Sequence, residues 1–271
     1  MTQLIEAADL RAAPKNYRIV AIHFDADTED SRAAFAAEHI PGAVLADRLI
    51  FSRAPEKGEG RNPLPRREQL EKDVRTLGLL LGDRIVLYDA KKNVFASRAW
   101  WVLRNAGFTD VRILNGGLKA WKAAGGEIAS GDVTVRPSSV EISDDRLPAI
   151  SGDDAAVFPQ RGILLDARSA ARFSGQPDPL DPRPGHVPGA VNIPWEGLID
   201  DQDRFLPASE LRERFASLGI KPDTAVAAYC GSGVSAAHVL VSLEVAGFPT
   251  GALYPGSWSE WAADPRRPVE A

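Results

Sequence analysis

Apolar runs of a few residues alternate along the chain with stretches whose apolar positions recur at helical spacing. In the first half, Arg18–Phe24 and Arg84–Tyr88 read as buried strands, and Ala43–Ala46 and Val111–Leu114 as shorter ones. Ser31–Glu38, Ser97–Asn105 and Leu118–Ala124 read as helices, and Arg67–Leu80 sets Leu70, Val74, Leu77 and Leu80 on one helical face. The second half repeats the alternation. Its strands fall at Ile163–Asp166, Ala190–Ile193, Ala225–Tyr229 and Ala252–Tyr254, and its helices at Ser209–Leu218, Ser235–Ala246 and Trp258–Ala262. Strands that are apolar throughout are buried on both faces. The pattern therefore predicts an α/β fold, a mostly parallel sheet with helices on both faces.

The two halves share landmarks. His39-Ile-Pro-Gly-Ala43 recurs as His186-Val-Pro-Gly-Ala190. Tyr88-Asp89 precedes Gly107-Phe108 as Tyr229-Cys230 precedes Gly247-Phe248, and Gly116 precedes Trp121 as Gly256 precedes Trp261. Three landmarks in one order at near-equal spacing imply a tandem duplication. The chain thus reads as an N-terminal domain over 1–125, a polar linker over 126–150 and a C-terminal domain over 151–271. Asp178–Pro184, rich in proline, has no counterpart in the first copy and reads as an insertion serving a site.

Length agrees with that division, since 271 residues suggest about two domains. A net charge of −5 without a dense basic run argues against nucleic acid or an anionic membrane as the main partner. The N-terminal Met1-Thr-Gln-Leu-Ile-Glu6 lacks a basic leader, and no apolar stretch approaches the roughly 18 residues of a membrane span, so a cytoplasmic location is expected. A single cysteine excludes an internal disulfide, and the four histidines form no metal-spaced pair. No metal and no organic cofactor are expected.

The chemistry points to Cys230. It lies between an apolar strand ending at Tyr229 and a helix beginning near Ser235, in the loop Cys230-Gly231-Ser232-Gly233-Val234. Ligands of parallel α/β sheets bind at such strand-to-helix turns. Two glycines at alternate positions let successive N–H groups point inward as an anion nest, and the helix adds its positive end. A thiolate placed there is stabilised and nucleophilic. Most lone cysteines are small core residues, but those sit within strands or helices rather than at the mouth of a glycine turn.

This loop, with the duplicated His-[Ile/Val]-Pro-Gly-Ala, resembles the two-domain rhodanese family of sulfurtransferases over nearly the whole chain. The resemblance implies tandem rhodanese-like domains in which the C-terminal cysteine carries a persulfide and the N-terminal copy is silent. Asp89 stands at the Cys230 position of the first repeat, and a carboxylate cannot carry sulfur. Within the family, Gly-Ser-Gly after the cysteine accompanies 3-mercaptopyruvate as donor, whereas cationic residues there accompany thiosulfate. The same resemblance implies that Arg172 and Arg183 bind the donor carboxylate. It also implies that the backbone of Gly231, Gly233, Val234 and Ser235 cradles the sulfur, and that Ser232 acts with His39 and, less directly, Asp30. A thiol, thioredoxin or cyanide is the implied acceptor.

Other readings stay open at this point. A thiosulfate:cyanide sulfurtransferase would keep the fold and nucleophile. A non-catalytic binding module would leave Cys230 unused. A cysteine phosphatase needs Cys-x5-Arg, and here that position is Ala236.

Overall fold

The computed structural model describes residues 3–23, 28–47 and 51–271. The chain divides into two compact units. The first takes the chain up to Arg53, then Leu64–Arg146 and Asp201–Phe205; the second takes Ala54–Pro63, Leu147–Asp200 and Leu206–Ala271. The units thus exchange two short stretches, and most of the segment expected as a linker packs with the first unit. That segment is tied down by backbone hydrogen bonds and by the buried side chains of Val140 and Ile142. His39 and Ala129 exchange N–H···O bonds of 2.9 Å, and the Ser138 N–H donates to Arg75 O at 2.9 Å.

In the first unit the strands are β1 (Leu4–Ile5), β2 (Arg18–Ile22), β3 (Val44–Ala46), β4 (Arg84–Tyr88) and β5 (Asp110–Leu114). Its helices are α1 (Ala7–Ala12), α2 (Thr28–Ala37), α3 (Arg67–Thr76), α4 (Val94–Asn105) and α5 (Gly117–Ala123). The strands form one parallel sheet in the order β1-β5-β4-β2-β3. The expected strand from Arg18 ends at Ile22, and its far end, Phe24, lies outside the described residues. Helix α3 stops at Thr76, short of the expected Leu80, because Gly78 turns the chain at φ +69°.

The second unit repeats this plan. It contains α6 (Gly152–Val157), β6 (Ile163–Asp166), α7 (Ala170–Phe173), β7 (Val191–Asn192) and α8 (Ala208–Ser217), followed by β8 (Val226–Tyr229), α9 (Ser235–Val245), β9 (Ala252–Leu253) and α10 (Ser257–Ala263). Its parallel sheet runs β7-β6-β8-β9, matching β3-β2-β4-β5 strand for strand. Where the first unit has β1 beside β5, the second has a single parallel bridge from Ala149 to Leu253. Helix α6 shows no apolar periodicity, but Ser151 and Asp154 form a reciprocal capping box that starts it.

Each sheet is flanked by helices and carries its own core. Ile19, Ala21, Val86, Tyr88 and Leu114 pack with Leu10, Phe35 and Trp121 in the first unit. Leu164, Ala227 and Tyr229 pack with Phe158, Trp258 and Trp261 in the second. Among the described residues, no helix is long and apolar enough to cross a membrane.

The repeated His-[Ile/Val]-Pro-Gly-Ala motif is one turn built twice. Gly42 and Gly189 occupy left-handed conformations, at φ +79° and +75°. The Ile40 N–H donates to the Tyr88 hydroxyl at 3.2 Å, and the Val187 N–H to the Tyr229 hydroxyl at 3.1 Å. His39 stacks on Phe35 at 4.1 Å with Nδ1 2.9 Å from Phe35 O; His186 stacks on Phe173 at 3.7 Å with Nδ1 2.8 Å from Phe173 O. The motif thus ties a loop to the central strand through a tyrosine that precedes Asp89 in one copy and Cys230 in the other.

Helix α9 is buried on all sides over residues 236–243 and carries His238, which is fully buried with its ring edge-on to Trp195 at 5.4 Å. Burial pushes its pKa from 6.5 down to about 3. Between those values the unfolded chain binds the proton and the folded one does not, so stability falls as pH drops below 6.5. Lowering the pH from 7 to 5 should cost about 2 kcal/mol through this residue alone. His238→Leu should flatten the dependence of urea-unfolding free energy on pH by that amount; an unchanged slope would exclude His238 as its source.

Candidate active site

Strand β8 delivers Cys230 to the C-terminal edge of the sheet, and α9 starts five residues later at Ser235. The intervening loop closes on the sulfur: the Gly233 N–H donates to Cys230 Sγ at 3.1 Å. Gly233 sits at φ +81°, and a Cβ there would stand 2.4 Å from Pro255 O, so both backbone and space require glycine. Val234 then takes up right-handed geometry and leads into α9.

The first turn of α10 clamps this loop from behind. Cys230 N–H donates to Ser257 Oγ at 3.1 Å, Trp258 N–H to Cys230 O at 2.9 Å and Ser259 N–H to Gly231 O at 3.0 Å. Ser257 does this from a left-handed conformation at φ +54°, with its own hydroxyl donating to Tyr254 O at 2.9 Å. Neither serine stood out in the sequence. Their proximity to Cys230 comes from sheet order, since β9 lies beside β8.

The equivalent loop of the first unit displays what the geometry binds. The Asp89 carboxylate, 2% exposed, accepts four backbone N–H bonds: from Lys91 at 2.8 Å, and from Asn93, Phe95 and Ala96 at 2.9 Å each. Burial pushes the Asp89 carboxyl above its usual range, while the four N–H donors pull the other way. The strand-to-helix loop is therefore an anion nest, and in the first unit its occupant is covalently part of the chain.

Arg172, at the end of the short helix α7, lies beside Gly231. A Cβ on Gly231 would meet Arg172 Nη2 at 3.1 Å and Nη1 at 3.5 Å, and also Arg61 Nη2 at 3.1 Å. Arg61 and Asn62 had no signal in the sequence beyond a glycine- and proline-punctuated stretch. They nevertheless reach the loop: Arg61 Nη2 donates to Gly231 O at 3.2 Å and Asn62 Nδ2 to Ser232 Oγ at 2.9 Å. The loop from Cys230 to Ser235, with Gly231, Ser232, Gly233 and Val234, thus has Arg172, Arg61 and Asn62 beside it.

The remaining expected residues lie elsewhere. The Arg183 guanidinium donates to the carbonyls of Trp261, Ala262, Asp264 and Arg267 at 2.7–3.2 Å, closing the C-terminal end of α10 rather than facing the loop. Its charge suits the negative end of a helix, which accounts for this placement. His39 and Asp30 belong to the first unit; His39 is buried against Phe35, and Asp30 is exposed on the first turn of α2. Among the described residues no cluster of histidine, cysteine, aspartate or glutamate has the geometry to hold a metal ion.

The nest makes Asp89 a stability determinant. Replacing it with alanine leaves four N–H donors unsatisfied, and urea denaturation should show a loss of about 2–4 kcal/mol. A loss below about 1 kcal/mol would mean that water satisfies those donors as well as the carboxylate does.

Known proteins share this architecture. The model of the rhodanese-like domain matches residues 6–124 and again 146–264. A probable 3-mercaptopyruvate sulfurtransferase of Pseudomonas aeruginosa is 44% identical over 243 residues, spanning 87% of this chain and 85% of that protein. A putative thiosulfate sulfurtransferase, SseB, of Mycobacterium tuberculosis is 40% identical over 277 residues, spanning 98% and 96%. The crystal structure of the 3-mercaptopyruvate sulfurtransferase SseA from Escherichia coli superposes with a TM-score of 0.83 at 31% identity, covering 96% of this chain and all of that one. With two matched domains, two parallel sheets of one strand order and a cysteine in only the second loop, the chain belongs to the rhodanese family.

Proposed function

We propose that the protein is a sulfurtransferase that accepts a sulfane sulfur from 3-mercaptopyruvate on Cys230 and passes it to a thiol, thioredoxin or cyanide, releasing pyruvate. The observation that carries this reading is the pair of loops. One nest holds a carboxylate with four N–H donors, and its twin holds Cys230 Sγ with the Gly233 N–H already directed at it. A nest that stabilises an anion in the first unit stabilises a thiolate and then a persulfide anion in the second.

The chemistry follows from that placement. The Cys230 thiolate attacks the donor sulfur, forming the S–S bond as the donor C–S bond breaks. The electron pair goes to the three-carbon fragment as the enolate of pyruvate. N–H groups of residues 231–235 stabilise the sulfur anion, Ser232 donates a hydrogen bond to the developing enolate oxygen, and the enolate takes its proton from water. An acceptor thiolate then attacks the outer sulfur, and Cys230 leaves as thiolate. The first unit takes no part as sulfur carrier, because Asp89 fills its nest.

Donor choice follows from charge. Residues 231–235 carry no charged side chain. The guanidiniums beside Gly231 are partly neutralised by Asp181 and Asp178, at 2.6 and 2.9 Å from Arg172. A monoanionic keto acid suits this site better than the thiosulfate dianion, which is the second reading because relatives carry both names. A reducing compartment, the cytoplasm, suits a cycle that must return its only cysteine to the thiol.

Three measurements test this. Incubation with donor and no acceptor should add about 32 Da to the protein, and Cys230→Ser should abolish the gain. Side-by-side kinetics should give kcat/KM about tenfold higher for 3-mercaptopyruvate than for thiosulfate, a preference of about 1.4 kcal/mol. A reversed preference would remove the charge argument, and no turnover with either donor would favour a binding module. Arg172→Ala should raise KM for 3-mercaptopyruvate about tenfold or more; unchanged kinetics would remove it from the carboxylate site.

A further inference from the structure

Resting on that reading, we propose that Arg61 and Asn62 belong to the donor site: Arg61 shares the donor carboxylate with Arg172, and Asn62 fixes Ser232 as a proton donor. Both residues come from Ala54–Pro63, the stretch of chain that packs with the second unit. Gly60 makes the approach possible, since a Cβ there would stand 2.2 Å from Gly256 O, beside α10. The Arg61 N–H then donates to Ser259 Oγ at 3.0 Å, pinning the segment to the turn that also holds Gly231.

The two guanidiniums are held by one carboxylate. Asp181, whose side chain is 2% exposed, accepts Arg61 Nη1 on Oδ1 at 2.5 Å and Arg172 Nη2 on Oδ2 at 2.6 Å. Arg61 Nη1 also donates to Leu180 O at 2.7 Å. With these anchors, Arg61 Nη2 and both terminal nitrogens of Arg172 stand within 3.1–3.5 Å of the Cβ position that Gly231 leaves empty. A carboxylate lying over Gly231 meets N–H donors from both forks, next to the nucleophile. Two guanidiniums less one buried carboxylate leave a single positive charge, with the part-exposed Asp178 reducing it further. That balance matches a monoanion. Asp181 orders the pair in advance, so less side-chain entropy is lost when the donor binds.

Asn62 acts on Ser232. Its amide donates to Ser232 Oγ at 2.9 Å, so the serine oxygen is an acceptor there and its own proton is directed elsewhere. A serine held in this way can donate to an oxygen on the bound donor. Asn62 is therefore a positioning residue, whereas Arg61 touches the donor.

The test uses the full-length protein in two arms. In the Cys230→Ser background, calorimetry with pyruvate reads the clamp without turnover. Adding Arg61→Ala, or Arg61→Lys, which keeps a charge for Asp181 but not the fork, should weaken pyruvate binding about tenfold. Equal binding, or no pyruvate binding before Arg61 is changed, overturns the clamp. In the kinetic arm, Asn62→Ala should lower kcat with 3-mercaptopyruvate about tenfold at near-constant KM. Asn62→Asp, which would accept the serine proton, should lower it further. Asn62→Ala combined with Ser232→Ala should be no slower than Ser232→Ala alone; additive losses overturn the positioning role. If pyruvate binds through Arg61 while the wild-type protein does not turn over 3-mercaptopyruvate, the proposed donor fails and the clamp stands.

Discussion

The convergence of backbone N–H groups at the end of the central strand governs the rest of the molecule. Such a nest cannot be left empty inside a protein, because each unsatisfied donor costs roughly 1–3 kcal/mol. The two copies of the domain meet this requirement differently. The first closes its loop over the Asp89 carboxylate with four N–H bonds. The second puts a thiol there, with one N–H at 3.1 Å. The residue at the strand end, together with the loop that follows it, therefore separates a loop filled by its own carboxylate from one that closes on a thiol.

The surrounding structure keeps that loop in shape. Tyr88 and Tyr229, each one residue before the nest, accept the N–H of the residue after the repeated histidine and so bind the Pro-Gly turn to the sheet. In the second unit, α10 holds the backbone of Cys230 and Gly231 with three bonds, and Arg183 closes the far end of α10. The loop can be tightly bent because its acceptors and donors are met from outside it. His39 and His186 make the same stacking and carbonyl contacts in their respective copies, so each has a structural task of its own.

Charge is arranged closely around one glycine. Gly231 has no side chain, and the space beside it is bordered by guanidinium nitrogens of Arg61 and Arg172. Asp181, buried between the two forks, offsets the repulsion that would otherwise drive them apart and fixes their planes. A side chain at 231 would crowd the guanidinium nitrogens of Arg172 and Arg61. Small residues and buried charge pairs thus cooperate: the glycine leaves space beside the loop and the aspartate shapes the cations around it.

Much of this was legible from sequence. The duplication, the parallel sheets, the strand ends at Tyr88 and Tyr229, the glycine turn after Cys230 and Asp89 as its counterpart all follow from local patterns. Periodicity reports which faces are buried, and a glycine turn between strand and helix has one geometry. What tertiary structure alone decided lies in segments without periodicity. Whether a given arginine meets the loop or a helix end depends on the path of irregular chain: Arg172 and Arg61 reach Gly231, and Arg183 reaches the carbonyls of α10. The expected linker likewise packs with the first unit through backbone hydrogen bonds and the buried Val140 and Ile142, and Ala54–Pro63 packs with the second through Arg61 and Asn62. Local sequence fixes local burial and turn geometry, whereas long side chains on irregular segments find partners only once the sheets are ordered.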